Sequence, residues 1–144
     1  MVEWQNAGCA DELFAPLTAS EPVVSFNPRY RDNTIVKLTF GFAQAIWDLS
    51  AELDEKRKYA VSNQLFRSGT GIGALVREAQ NGESLADFIH KMKIALKEAD
   101  ETEYWLLLCQ SREIQNATAC LEKLHPIIRI LNQIISTSKA KLKP

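Results

Sequence analysis

The stretch that decides the fold is residues 84–109, which read SLADFIHKMKIALKEADETEYWLLLC. Its apolar and small residues recur at alternating steps of three and four, and they are Leu85, Phe88, Met92, Ala95, Ala99, Thr102 and Leu106. This spacing places them on one face of an α-helix, since 3.6 residues make one turn. The pattern predicts a helix over about 84–109 that buries one side.

The same spacing recurs in three other segments, at about 33–53, 59–80 and 116–140. Their stripes are Ile35, Leu38, Phe42, Ile46, Leu49 and Leu53 in the first, Val61, Leu65, Ser68, Ile72, Leu75 and Ala79 in the second, and Leu121, Leu124, Ile128, Leu131 and Ile135 in the last. Because the connections are short, consecutive helices run antiparallel. The sequence therefore predicts an all-α fold, an antiparallel up-down-up-down four-helix bundle over residues 33–144.

Residues 1–32 lack this periodicity. Pro16, Pro22 and Pro28 recur there at six-residue spacing, and proline interrupts regular hydrogen bonding. We expect this segment to form an extended or partly disordered N-terminal arm.

Two features indicate where the second helix ends and the third begins. Asn81 and Gly82 follow the second stripe, and we expect Gly82 to adopt the left-handed conformation that often ends a helix. Ser84 and Asp87 form a short acidic variant of the capping box, which predicts a helix start at Ser84.

The fourth helix departs from the simple pattern in two ways. Pro126 should either kink it near Glu122 or delay its regular part until after His125. Beside the core stripe the helix carries a second set of apolar residues, which are Ile127, Ile130 and Ile134. This set fits either a wider core contact or an interface between subunits, and the sequence leaves both open.

The glycine-rich run at residues 68–73 resembles a phosphate-binding loop only superficially. It lacks the spacing of the known motifs, and no strand precedes it. Gly69 and Gly73 are four residues apart and would share one helix face, where they permit close approach of another helix. We expect them to serve close packing and include them in a candidate oligomer interface.

Basic residues give a candidate nucleic-acid contact at Lys56, Arg57, Lys58 and Arg67. The signal is weak, because acidic residues precede the first three and the formal net charge is −1. The more conservative interpretation is a solvated loop.

No catalytic, cofactor or metal site is predicted. Asp87 with His90 and Glu122 with His125 have acid-x-x-His spacing, but the stripes of the first and fourth helices offer no inward carboxylate to complete a di-metal site. Neither histidine has a cysteine or serine partner at a defined spacing. We expect a protein that is not an enzyme.

Composition fits a single cytoplasmic domain. The chain has 144 residues and three cysteines, too few for a disulfide framework, so Cys109 and Cys120 are expected to be small buried thiols. The first basic residue is Arg29, which argues against a secretory signal. No apolar run approaches the roughly 20 residues that span a bilayer, so no membrane contact is expected.

A longer motif in the second and third helices resembles a known family. It comprises QLFRSGTGIGA at 64–74, REAQ at 77–80, ES at 83–84, ADFIHK at 86–91 and ALKEADETEYWL at 95–106. This run resembles the bacterial four-helix-bundle proteins encoded in ribosomal-RNA intervening sequences. That family is similar in turn to the accessory variability determinant of diversity-generating retroelements.

The resemblance implies a ring-shaped homopentamer without enzymatic activity. For the retroelement relatives it implies binding to nucleic acid and to a reverse transcriptase. Two hypotheses of function follow. The first is a non-catalytic oligomeric interaction or scaffold protein, whose partners are itself and another protein. The alternative is a nucleic-acid-binding accessory factor for RNA or DNA, working with a reverse transcriptase.

Overall fold

The computed structural model describes residues 30–143, so the predicted arm over 1–32 lies outside the described residues except at its end. Four α-helices follow, and we number them α1 (Thr34–Glu55), α2 (Tyr59–Ala79), α3 (Leu85–Ser111) and α4 (Ala117–Leu142). Residues 30–143 contain no strand. The all-α prediction is confirmed.

The helices pack in chain order, α1 on α2, α2 on α3 and α3 on α4, and α1 also meets α4 to close the bundle. The seam between α1 and α4 is the sparsest of the four. The largest fully buried side chains come from every helix and are Phe42, Ile46, Leu49, Leu53, Leu65, Ile72, Val76, Met92, Leu106, Leu124, Ile127 and Leu131. Burial of these side chains is the main favourable term that holds the helices together.

The predicted stripes match this core with small shifts. Val76 is fully buried where Leu75 was expected, and Ile127 is buried where Ile128 was expected. Both shifts are local, since the next predicted positions, Ala79 and Leu131, are buried as expected. A step of three or of four residues keeps a side chain on the same helix face, so the spacing alone does not choose between the two neighbours. Leu38 is exposed and Thr39 is buried in its place. The Thr39 hydroxyl donates to the Ile35 carbonyl at 2.8 Å, which satisfies it inside the core.

The start of α3 follows the prediction, whereas the end of α2 does not. Ser84 Oγ accepts a hydrogen bond from the Asp87 amide at 3.0 Å, and Asp87 Oδ2 accepts one from the Glu83 amide at 3.1 Å. None of the described glycines has a positive φ, so the prediction that Gly82 adopts the left-handed conformation is wrong. Instead α2 ends in a tightened turn, whose last bond joins the Gly82 amide to the Ala79 carbonyl at 3.0 Å.

Left-handed residues end α1 and α3 instead, and neither is glycine. Arg57 has φ 58° and Glu113 has φ 60°. Beyond Arg57, the Lys58 amide donates to the Leu53 carbonyl at 2.8 Å, which completes a Schellman motif. The equivalent bonds surround Glu113. Both loops therefore begin with a Schellman motif, at the same end of the bundle.

Pro126 lies inside a continuous α4. The prediction that the regular part of this helix begins only after His125 is therefore wrong. The alternative, a kink near Glu122, stays a prediction. The turns before the proline are helical because their apolar side chains are buried, and these are Ala117, Cys120, Leu121 and Leu124. Their burial offsets the roughly 3 kcal/mol that an internal proline costs.

Candidate interaction surfaces

The basic run at residues 56–58 lies in the loop between α1 and α2. Lys56 Nζ is 3.0 Å from Glu52 Oε1, so its charge is partly compensated. Arg57 and Lys58 are exposed and take part in no ion pair within residues 30–143. These two residues keep an uncompensated positive charge at the loop end of the bundle.

Arg67 does not join that cluster. It lies nine residues beyond Lys58 on α2, roughly 14 Å along the axis at 1.5 Å per residue. Its guanidinium contacts Glu98 Oε2 at 3.4 Å and also pairs with Glu101. The structure thus separates Arg67 from the loop cations and surrounds it with opposite charge.

Gly69 and Gly73 face α1 of the same chain. A Cβ on Gly69 would lie 2.8 Å from Ile46 Cγ1, and a Cβ on Gly73 would lie 3.3 Å from the Thr39 carbonyl oxygen. The close helix approach predicted for these glycines is therefore a contact inside the bundle. Gly69 is buried there, so α1 occupies the surface that was expected to receive a second copy.

The second apolar set of α4 divides between core and surface. Ile127 is only 1% exposed and belongs to the core, which corrects its assignment to an oligomer interface. Ile130 and Ile134 are half-buried and lie on the flank of the helix. Only these two stay available for a contact between copies, and that contact stays a prediction.

Sequence reasoning missed an aromatic surface, formed by Phe40, Trp47 and Phe66, between α1 and α2. Trp47 is 64% exposed, and its ring meets that of Phe66 edge to face with centroids 5.5 Å apart. These residues border a shallow hollow of about 590 Å³ that also involves Thr70. A signal was present, because Phe40 and Trp47 are seven residues apart and lie off the core stripe.

A second apolar surface lies on α3, and we call it the α3 face. It consists of Tyr104, Leu107 and Leu108, of which Tyr104 is 62% and Leu107 is 47% exposed. The Tyr104 ring also packs edge to face on Trp105, with centroids 5.1 Å apart. Helix α3 thus presents large apolar side chains to solvent on the side opposite its core stripe.

The part of the chain that the structure describes brings together no group of three side chains of the kinds that hold a metal ion. His125 Nε2 lies 3.6 Å from Glu103 Oε2, an isolated surface pair. Cys109 and Cys120 are free and buried, as predicted, and burial raises the pKa of both thiols. None of the described helices has the length and apolar character that crossing a membrane requires.

Comparison with known proteins indicates the family of this chain. Residues 31–136 match the family of 23S rRNA-intervening sequence proteins. The bundle is also similar to the crystal structure of a protein of unknown function from the S23 ribosomal protein family of Bacteroides thetaiotaomicron. That similarity has 40% sequence identity and a TM-score of 0.68, and it covers 70% of this chain and 97% of the other. No curated protein gives a significant match.

Proposed function

This chain belongs to the family of 23S rRNA-intervening sequence proteins, and we propose that it is a non-catalytic scaffold that assembles from copies of itself. The observation that carries the proposal is the pair of unlike apolar surfaces, one between α1 and α2 and one on α3. The relation to the accessory variability determinant of retroelements stays a prediction from the resemblance.

The exposure of these side chains supports a binding role. Trp47 and Tyr104 are both more than 60% exposed, although burial of a large aromatic ring is strongly favourable. Exposed aromatic clusters mark contact surfaces, and tryptophan and tyrosine are enriched among the residues that dominate binding energy. Each surface would therefore be buried by a partner.

The two surfaces favour head-to-tail assembly. They lie on different sides of the bundle, so the aromatic surface of one copy would meet the α3 face of the next. Such a contact is heterologous and forms a ring when its rotation closes. The resemblance suggests a ring of five. A stable contact of this kind needs to bury more than roughly 1,000 Å².

Light scattering behind a sizing column tests the assembly. We expect the wild type to be an oligomer at micromolar concentration, and a monomer would overturn the proposal. Trp47→Glu and Leu107→Glu should each lower the mass while leaving the helical content unchanged. Gln133→Glu, on the exposed side of α4, is the control and should keep the wild-type mass.

Mixing the two variants distinguishes head-to-tail from symmetric contacts. Trp47→Glu retains an intact α3 face, and Leu107→Glu retains an intact aromatic surface. In a head-to-tail assembly the intact α3 face of one variant binds the intact aromatic surface of the other. The mixture should then have the mass of a dimer, whereas each variant alone should have the mass of a monomer. If the mixture stays monomeric, the contact does not join these two surfaces.

A second candidate function is nucleic-acid binding, favoured by the uncompensated charges of Arg57 and Lys58. Repetition of this loop around a ring would make a weak patch multivalent. Binding of RNA or DNA should then fall steeply with salt. Changing Lys56, Arg57 and Lys58 together to Glu should abolish it without changing the mass. Absence of binding at about 50 mM salt would exclude this candidate.

A further inference from the structure

A hollow at the loop end of the bundle borders the α3 face through Leu108, but its lining comes from one chain. It has a volume of about 530 Å³, within the roughly 300–1,000 Å³ that small-molecule sites occupy. Its lining comes from the end of α1, the start of α2 and the end of α3, and comprises Leu53, Lys58, Val61, Leu108, Cys109, Arg112 and Ile114.

The floor and walls of the hollow are apolar. Leu53 and Cys109 are almost fully buried and close its floor. Val61 and Ile114 are half-buried, whereas Leu108 is more exposed and lies towards the mouth. The Cys109 thiol is in its neutral form, since burial raises its pKa. These walls suit an alkyl or aryl body and offer little to a polar one.

The mouth of the hollow carries two positive charges. Lys58 and Arg112 both line it and both are exposed, so their apolar stems cover the wall and their charged ends reach solvent. Neither takes part in an ion pair within residues 30–143. The nearby Glu52 carboxylate is already bonded to Lys56 and Asn116. Glu113 is also close in sequence, but it is not part of the lining.

The backbone of both loops that carry these cations is ordered by hydrogen bonds. Arg57 and Glu113, each next to one of the two cations, are the left-handed residues of two Schellman motifs. A site whose loops are already ordered loses less entropy on binding than a mobile one. The arrangement is therefore suited to an anion with an apolar tail.

We propose that this hollow binds a free amphipathic monocarboxylate, with its tail against Leu53, Val61 and Ile114 and its carboxylate between Lys58 and Arg112. A guanidinium offers two parallel donors to a carboxylate, and the ammonium adds a third charge-assisted bond. All lining residues come from one chain, so we expect binding without the proposed assembly.

Calorimetric titration of the full chain with octanoate tests the proposal. We expect one octanoate per chain. Octan-1-ol has the tail without the charge, and acetate has the charge without the tail, so each should bind at least about tenfold more weakly. Equal binding of octanol, or no binding of octanoate at millimolar concentration, would overturn the proposal.

Two variants locate the binding. Lys58→Gln with Arg112→Gln should weaken octanoate binding by about tenfold or more, while Lys93→Gln with Arg129→Gln removes two exposed cations elsewhere and should have no effect. Val61→Trp should fill the hollow and block binding. If Val61→Trp loses its helical content, the test of the site depends on the Lys58→Gln/Arg112→Gln variant alone. Unchanged affinity in the Lys58/Arg112 variant contradicts the site.

The same titration on Leu107→Glu separates this site from the assembly. Leu108 belongs to the α3 face and also lines the hollow, so the two are neighbours. We expect the non-assembling variant to bind octanoate as the wild type does. Loss of binding there would show that the ligand needs the assembly and would contradict a site within one chain.

Discussion

The side chain of Asn116 donates a hydrogen bond from Nδ2 to Oε2 of Glu52 across 2.7 Å, joining residues 64 positions apart. Asn116 is the N-cap residue of α4, yet its side chain makes no capping bond to that helix. It bonds instead to the last turns of α1, where Glu52 also contacts Lys56. This bond, followed by the one from Lys56, lowers the pKa of Glu52.

The Glu52 bond makes stability depend on pH. Because the pKa of Glu52 in the folded chain lies below its ordinary value of 4.5, its contribution is present above that value and is lost as pH falls through the folded pKa. We expect Glu52→Gln to lower the free energy of unfolding by less than about 1 kcal/mol at pH 7, since the carboxylate is partly exposed. The difference should become smaller at an acidic pH, as the pH falls through the folded pKa.

Urea unfolding of both proteins at the two pH values measures this difference. Asn116→Ala provides the control, because it removes the larger cause of the lowered pKa. In the Asn116→Ala variant, the change in the free energy of unfolding caused by Glu52→Gln should depend less on pH. A difference between Glu52 and Gln that grows as the pH falls would contradict the assignment.

Gly69 and Gly71 offer a matched test of helix packing. A Cβ at Gly69 would lie 2.8 and 2.9 Å from two carbons of Ile46, which is fully buried and has little room to shift. We expect Gly69→Ala to destabilise the bundle by about 1–2 kcal/mol, since overpacking exceeds the gain in helix propensity.

Gly71→Ala should have the opposite effect. Its new Cβ would meet only the Glu98 side chain, at 3.7 Å or more, which is an ordinary contact. The gain in helix propensity is then about 0.5–1 kcal/mol. Thermal unfolding followed by circular dichroism compares the pair. Equal effects of the two substitutions would show that Ile46 does not constrain α2.

Glu113 should be a site where glycine stabilises the fold. Its φ of 60° is unfavourable for a residue with a Cβ, by roughly 1–2 kcal/mol. We expect Glu113→Gly to raise the free energy of unfolding by about 1 kcal/mol, after allowing for the entropy of glycine in the unfolded chain. Glu113→Ala is the control, because it removes the carboxylate but keeps the Cβ. If it raises the free energy of unfolding by the same amount, the effect comes from the loss of charge and not from the backbone conformation.

Ser50 and Ser62 lie together at the seam between α1 and α2. Ser50 Oγ is buried and has no partner among residues 30–143, whereas Ser62 Oγ donates to the Ser50 carbonyl at 3.1 Å. Ser50→Ala should therefore stabilise the bundle, and Ser62→Ala should destabilise it, each by about 1 kcal/mol. Chemical unfolding measures the stability of both variants. A lower free energy of unfolding in Ser50→Ala as well as in Ser62→Ala would show that the Ser50 hydroxyl has a hydrogen-bond partner.

The helices and most of the core were predictable because burial imposes a period that the sequence displays. Ile46, Leu65 and Leu106 lie on the predicted stripes and are completely buried. The error at Leu75 arose because both the third and the fourth residue after Ile72 lie near the core-facing side of the helix. The packed helix buries the fourth, Val76, and the predicted stripe resumes at Ala79.

The candidate surfaces were less predictable because they depend on pairs that are distant in sequence. Arg67 looked like a free cation, but Glu98 and Glu101 lie 31 and 34 residues away and compensate its charge. The Trp47–Phe66 contact likewise joins two helices. The left-handed Arg57 was missed since propensity favours glycine at such positions.

The sparse seam between α1 and α4 has a consequence for how the bundle forms. The other three seams each join helices that follow one another in the chain. Contacts between near neighbours close small loops, and chains dominated by such contacts fold quickly. We expect the sequential hairpins to form early and α1 to close on α4 last. The same seam should then open first in transient sub-global unfolding, with amides of α1 and α4 exchanging before those of α2 and α3.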